Sequence, residues 1–528
     1  MRRLVAVLLA GTLGAAFACS TGAPSAPGTP GGSGTTLSVL AGSELKDIEP
    51  LLPDLQRATG YRLQLSYVGS LDGAQRIVTG DRSQLAWFSS AKYLDLLQGG
   101  SGRIVAQQKV MLSPVVMGVR HSVAARFGWA NNPNVTWADI AARARAGELH
   151  FGMTNPAASN SGFVALVGVA EAFAQSGSAL DAGSINSAAL KEFFSGQALT
   201  AGSSGFLATS YVRGQESLDG MINYESVLLS LNQGSQLHEK LDLVYPKDGI
   251  ATADYPLLLL DRTQRDAFDR IAAWLRRPDV QTRIMQTTNR RPALPEVKPD
   301  SRFPGQVLVE LPFPGSLDVV NRLIAVYLDQ ARPPAHAIFV LDTSGSMQGS
   351  RIDSLKRALL ALTSGDASIT GQFARFRQRE KVTIILFNDR VYQKRDFTVN
   401  DLSSGSPDLA AIRSYVNTFQ AGGGTAIYDA VYSAYQAAQA AMRTEPDRLY
   451  SIVLMTDGEN NVGRDGPRFL SDYRALPENV RAVKTFAVLF GEANPKELQQ
   501  VADTTGGTVF DGRKTSLSEV FKDISGYQ

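Results

Sequence analysis

Cysteine is almost missing from this chain: its 528 residues contain one, Cys19, and only four histidines. A single thiol cannot close an intrachain disulfide. A zinc or copper site built from Cys and His has few ligands to draw on. His121, His150, His238 and His336 are dispersed, without ligand spacing. Blocks of like charge are absent too, and a formal net charge of +2 gives no reason to invoke nucleic acid. Arg375, Arg377, Arg379 and Lys381 alternate with other residues and read as a solvated face. The signatures of several hydrolases and nucleotide enzymes are missing: there is no G-x-S-x-G elbow, no H-E-x-x-H and no phosphate loop with its lysine. The apolar stretch from Leu4 to Phe17 is too short for an ordinary membrane span.

Other features are plentiful. Hydrophobic residues make up 44% and charged residues 19% of the chain, an ordinary globular balance. The length predicts about three domains. At the N-terminus Arg2 and Arg3 precede the apolar stretch, and Ala16-Phe17-Ala18 precede Cys19. This resembles a bacterial lipobox, departing from it in having Ala16 where leucine is usual. The resemblance implies a signal peptide over 1–18 and acylation of Cys19. It also implies anchoring on the extracytoplasmic face of the bacterial membrane. Residues 20–35 are Ser, Thr, Gly, Ala and Pro, so 19–36 reads as a flexible tether.

Residues 338–346, Ile-Phe-Val-Leu-Asp-Thr-Ser-Gly-Ser, are the most informative stretch. An apolar strand delivers Asp342, Ser344 and Ser346 at its C-terminal end. Downstream, Gly422-Gly423-Gly424-Thr425 opens a helical stretch, and Ile452 to Thr456 is a second strand ending at Asp457. Two carboxylates and three hydroxyls suit a hard cation that prefers octahedral oxygen coordination and keeps several waters. In open α/β sheets, ligands bind where strands end. The three segments together closely resemble the metal-ion-dependent adhesion site of a von Willebrand factor type A domain. That resemblance implies Mg²⁺ (Mn²⁺ or Ca²⁺ being the alternatives) held by Asp342, Ser344, Ser346, Thr425 and Asp457. It further implies a protein partner that completes the shell with an acidic side chain. The domain is expected over 335–528 as a doubly wound, Rossmann-like α/β fold. Strands are expected near 336–341, 382–387, 390–397, 450–455, 483–490 and 508–510, the second and third of these antiparallel. Helices are expected near 352–363, 426–442, 495–503 and 516–524.

Between tether and metal motif, residues 37–300 alternate strands and helices, which predicts an α/β domain with parallel sheet. The element order resembles the two-lobed type II periplasmic solute-binding proteins. The resemblance rests on Gly42-Ser43-Glu44-Leu45, on Asn155 to Gly162 before a helix expected near Phe163, and on Ile222 to Ser226 after an expected strand. It implies a cleft for a small solute or anion, with Ser43, Ser159, Asn160, Ser161, Tyr224 and Glu225 as candidate contacts. Backbone N–H groups at a helix N-terminus form a ready anion site, and Ser159 or Ser161 serves equally as a plain cap. Trp87 and Phe88 read as core or stacking residues. Residues 261–288 read as an amphipathic helix pair exposing Arg262, Arg265 and Arg270. Residues 301–334 read as a connection, with a helix from Ser316 to Asp329 and a stop at Pro333-Pro334. No nucleophile and base pair emerges, so the reading is a binding protein and not an enzyme. A receptor for an ABC-type transporter and a metal-dependent hydrolase are the alternatives.

Overall fold

The computed structural model describes residues 35–527 apart from 175–178, 306–307, 365–372, 404 and 515. The expected signal peptide and Cys19 lie outside the described residues. No described helix is long and apolar enough to cross a membrane.

The N-terminal half contains two sheets. The first runs Tyr61–Val68, Thr35–Gly42, Leu85–Trp87, Pro256–Leu259, Ala106–Lys109. The second runs Thr252–Ala253, Met111–Arg120, Gly220–Tyr224, Phe151–Thr154, Gln197–Ala201, with Leu241–Val244 and Arg291–Pro292 also paired to Met111–Arg120. Strand and helix alternate as expected, but neither sheet is purely parallel. Pro256–Leu259 is antiparallel to both neighbours, and Met111–Arg120 is antiparallel to Gly220–Tyr224. The chain leaves the first sheet after Ala106–Lys109 and returns only at Pro256–Leu259, so the returning strand enters reversed. Trp87 and Phe88 are core, both fully buried. The amphipathic pair forms as Arg265–Leu275 and Pro278–Thr288, with Arg262, Arg265 and Arg270 exposed.

The C-terminal half is one six-stranded sheet in the order Val391–Val399, Glu380–Phe387, Ala335–Asp342, Leu449–Thr456, Lys484–Leu489, Val509–Asp511. All pairs are parallel except Val391–Val399, which returns from Glu380–Phe387 as a hairpin. Every residue of Ala335–Asp342 is buried, as a central strand covered on both faces requires. Its alternation divides two cores. Ala337, Phe339 and Leu341 pack with helices Ser350–Ser364, Pro407–Asn417 and Leu517–Ser525. Ile338 and Val340 pack with Ile427–Met442, Gly466–Arg474 and Pro495–Thr505. The expected strands and helices lie where the sequence places them. Pro407–Asn417, Gly466–Arg474 and the short Glu478–Arg481 are additional.

The connection between halves is not a free linker. Ser316 caps Leu317–Val326 by accepting from the Val319 amide, and a π-turn follows over Tyr327–Ala331. Tyr327 is buried against Phe194 at 4.9 Å, and its hydroxyl donates to Gln197 Oε1 at 3.0 Å. Two residues on, Asp329 pairs with Arg377, and Arg379 Nε donates to the Asp329 carbonyl at 2.6 Å. Arg332 pairs with Glu380. The alternating cations are therefore not a solvated face. Arg377 is 4% exposed, because the Asp329 carboxylate of the connection lies over it and replaces water.

Candidate functional site

Ala335–Asp342 and Leu449–Thr456 are neighbouring parallel strands, so their carboxyl ends bring Asp342 and Asp457 to one edge of the sheet. Asp342 is fully buried. Its Oδ1 accepts from the Ser344 amide at 2.7 Å and its Oδ2 from the Thr456 hydroxyl at 2.5 Å. The Ser344 and Ser346 hydroxyls stand 3.0 Å apart, and Ser346 Oγ donates to Asp457 Oδ1 at 2.7 Å.

The glycine loop is tied to the same place. The Gly345 amide donates to the Gly423 carbonyl at 2.9 Å, and the Gly422 amide to the Thr343 carbonyl at 2.8 Å. Gly423 has φ +87°, a left-handed conformation that a side chain would strain. Thr425 is fixed through its amide, which donates to Asn461 Oδ1 at 2.8 Å. A Cβ placed on Gly458 would lie 3.5 Å from Thr425 Oγ1 and 3.6 Å from Ser346 Oγ. The structure thus gathers all five residues around one point. Asp342, Ser344, Thr425 and Asp457 are buried, while Ser346 is exposed at the rim.

Burial first, with the charge of Asp457 adding, pushes the Asp342 carboxyl up to about 6 against the pull of its hydrogen bonds. A buried carboxylate beside a second one favours a cation. Arg351 partly answers this: its Nη1 donates to Asp457 Oδ2 at 2.6 Å, and its Nη2 lies 3.4 Å from Glu492. Sequence reasoning missed Arg351, although a basic residue opening the helix after the serine motif was visible. Gly491, φ +53°, makes room: a Cβ there would sit 2.9 Å from Asp457 Cβ and 3.2 Å from the guanidinium. Among the described residues no group of three or more His, Cys, Asp or Glu can hold a metal ion. The mixed set of two carboxylates and three hydroxyls fits an oxygen-seeking divalent cation and nothing softer.

The solute cleft is built differently from the sequence reading. Helix Asn160–Ala174 begins at Asn160, not near Phe163, so Asn160 and Ser161 belong to its first turn. Gly162 permits this early start: a Cβ there would stand 2.1 Å from the Thr154 carbonyl oxygen. The Ser161 hydroxyl is fully buried, 2.9 Å from Thr154 Oγ1 and 2.7 Å from Ser204 Oγ. Ser159 Oγ lies 3.3 Å from it. Asn160 Nδ2 donates to the Tyr224 hydroxyl at 3.2 Å, and Tyr224 lies within strand Gly220–Tyr224, not after it. Glu225 is fully buried in a two-pronged pair with Arg291 at 2.8 and 2.7 Å and accepts from the Tyr245 hydroxyl at 2.6 Å. These side chains bond one another. Of the six candidate contacts, Ser43 lines the 280 Å³ cleft, together with Asn155 and Ser203, which the sequence reading did not single out. Next to Ser43 in the chain is Glu44, its carboxyl raised by burial, near the fully buried Arg290, which pairs with the partly exposed Asp47 at 2.7 Å.

Residues 37–287 match the family of bacterial extracellular solute-binding proteins, and residues 337–523 match the von Willebrand factor type A domain. Inter-alpha-trypsin inhibitor heavy chain H4 of Sus scrofa is 32% identical over 159 residues, which is 29% of this chain. The chain spans 16% of that relative's length. Among solved structures, the sulfate-binding protein SubI from Mycobacterium tuberculosis is 18% identical with a TM-score of 0.40, covering 50% of this chain and 88% of SubI. A von Willebrand factor type A protein from Catenulispora acidiphila is 18% identical with a TM-score of 0.29, covering 38% and 43% respectively.

Proposed function

Because the chain joins a bacterial solute-binding domain to a von Willebrand factor type A domain, we propose that it is an extracytoplasmic binding protein. In this reading it engages a protein partner through a divalent cation, Mg²⁺ foremost, at the C-terminal site. The observation that carries this is the convergence of Asp342, Ser344, Ser346, Thr425 and Asp457 at the ends of two adjacent strands, around a carboxyl that burial raises. A bound cation supplies an electrophilic point that an acidic side chain of the partner can complete. The chain's own residues do the rest. Asp342 and Asp457 provide the charge. Thr456 and the Ser344 amide orient Asp342. Ser346, at the rim, faces the partner, and Arg351 holds Asp457 from the other side.

Both domains are binding types, and no residue set in this proposal performs a reaction. Acylated Cys19 would hold the protein at the outer face of the membrane; a single acyl chain anchors only marginally, so two are required for stable attachment. The solute-binding domain would take a small ligand in the cleft bounded by Ser43, Asn155 and Ser203. The test is capture of partners from membrane extract with and without EDTA. Bands retained with Mg²⁺, lost with EDTA and absent with Asp342→Ala are expected. Capture indifferent to both contradicts the reading.

A further inference from the structure

The solute cleft is not lined by the solute-binding domain alone. Besides Ser43, Asn155 and Ser203, its wall includes Ser525, the final residue of the last helix of the von Willebrand domain, and Gly526 and Tyr527 just after it. Asn155 Nδ2 reaches the Ser525 carbonyl at 3.4 Å across 370 positions of sequence. The approach is close on both sides. A Cβ on Gly202 would lie 2.7 Å from the Tyr527 ring, and one on Gly526 would meet Ala158 Cβ at 3.2 Å and Gly202 Cα at 3.4 Å. The Tyr527 ring stands edge-on to Phe206 of the solute-binding domain at 4.6 Å, and against Phe486 and Phe510 of its own domain at 5.1 and 5.7 Å. Two glycines facing each other across the contact, a backbone carbonyl reached by a cleft asparagine and an aromatic seat together form a fitted contact.

We propose that the segment Ser525–Tyr527 is a resident stopper of the solute cleft, so that a cleft ligand enters only when this segment withdraws. The cleft is then read as a groove for a short peptide with a small residue followed by an aromatic one, occupied in cis. A tethered segment competes at an effective concentration of roughly millimolar, so removing it unmasks the groove. The consequence is a link between the two domains that involves neither the metal ligands nor a solute of known identity.

Two experiments on the full chain test this, both in a Cys19→Ser background so that added cysteines are the only thiols. In the first, Ala158→Cys is combined with Gly526→Cys. Mild oxidation is expected to give an intramolecular disulfide in most molecules, seen as a mass lower by two hydrogens and a gel shift reversed by reductant. Free thiols after oxidation would overturn the proposal. In the second, a fluorescent peptide, Asp-Ile-Ser-Gly-Tyr-Gln (the sequence of residues 523–528), is titrated against wild type and Tyr527→Ala. Binding at least tenfold tighter to the variant is expected, and abolished in the disulfide-locked chain. Equal binding to wild type and variant, or binding to neither, shows that the contact is packing alone and overturns it.

Discussion

Asp342→Asn should make the metal-free protein more stable, although it removes a residue on which the proposed metal binding most depends. The carboxyl is moved from 3.8 to about 6, with burial the largest cause and Asp457 adding. Its contribution is full below the unfolded value of 3.8 and is lost as pH rises through about 6. Above pH 6 the ionised Asp342 therefore costs the metal-free fold about 3 kcal/mol. Asparagine keeps an oxygen for the Ser344 amide and offers an N–H to Thr456 Oγ1, at a loss of about 1 kcal/mol for an imperfect exchange. The net gain in EDTA at pH 7 is about 2 kcal/mol. It should vanish near pH 4, where wild type is itself neutral. Saturating Mg²⁺ should reverse the order, since at a hundredfold excess over Kd wild type gains about 2.7 kcal/mol that the variant does not. Urea denaturation in EDTA and in Mg²⁺, at pH 4 and 7, measures all four corners. A variant less stable than wild type in EDTA at pH 7, or one stabilised equally by Mg²⁺, refutes the reasoning.

Three further outcomes are expected. Thr425→Ala should keep most Mg²⁺ affinity, because one neutral hydroxyl is replaceable by water, yet weaken partner capture; loss of both in calorimetry and pull-down contradicts the assigned role. Lys484 lies 5.6 Å over the Phe206 ring, its ammonium buried with no hydrogen-bond partner among the described residues, and burial with the nearby Arg213 lowers it to about 7. A lowered lysine weakens the fold fully below pH 7 and progressively less as pH rises towards 10.5, so Lys484→Met should stabilise by about 2 kcal/mol or more at pH 7 and flatten the pH dependence over that range in thermal melts. Cys19→Ala should release the protein from membranes or leave it unprocessed; unchanged detergent partitioning rules out the lipid anchor.

The strand-end cluster proposed as the metal site was legible in part because its first three members are local. Asp342, Ser344 and Ser346 sit two residues apart, and each strand that ends in a carboxylate has an unbroken apolar run before it. The strands of the C-terminal half were legible as apolar runs, but which of their residues enters which core was not, since Ala335–Asp342 is buried along its whole length. Pro407–Asn417 and Gly466–Arg474 escaped because each is a short helix that opens on a proline in its first turn after a polar, proline-free stretch. The direction of Pro256–Leu259 escaped because strand orientation after a long excursion is not encoded in the strand itself. The cleft was misread for a related reason. Whether Ser161 faces a ligand or Ser204 depends on how closely Gly162 lets the helix approach Thr154, and that is a tertiary fact. Arg377 looked solvated because its partner, Asp329, lies 48 positions away. The stopper is more remote still, since no pattern near Tyr527 points to Gly202.

The most direct measurement is Mg²⁺ binding to the full chain by isothermal titration calorimetry, in wild type and in the Asp342→Ala and Asp457→Ala variants. One cation per chain, bound by wild type with the affinity lost in both variants, is the expected result. No binding to wild type, with a thermal transition indifferent to EDTA, would mean that the five residues only shape and cap the turns at the strand ends.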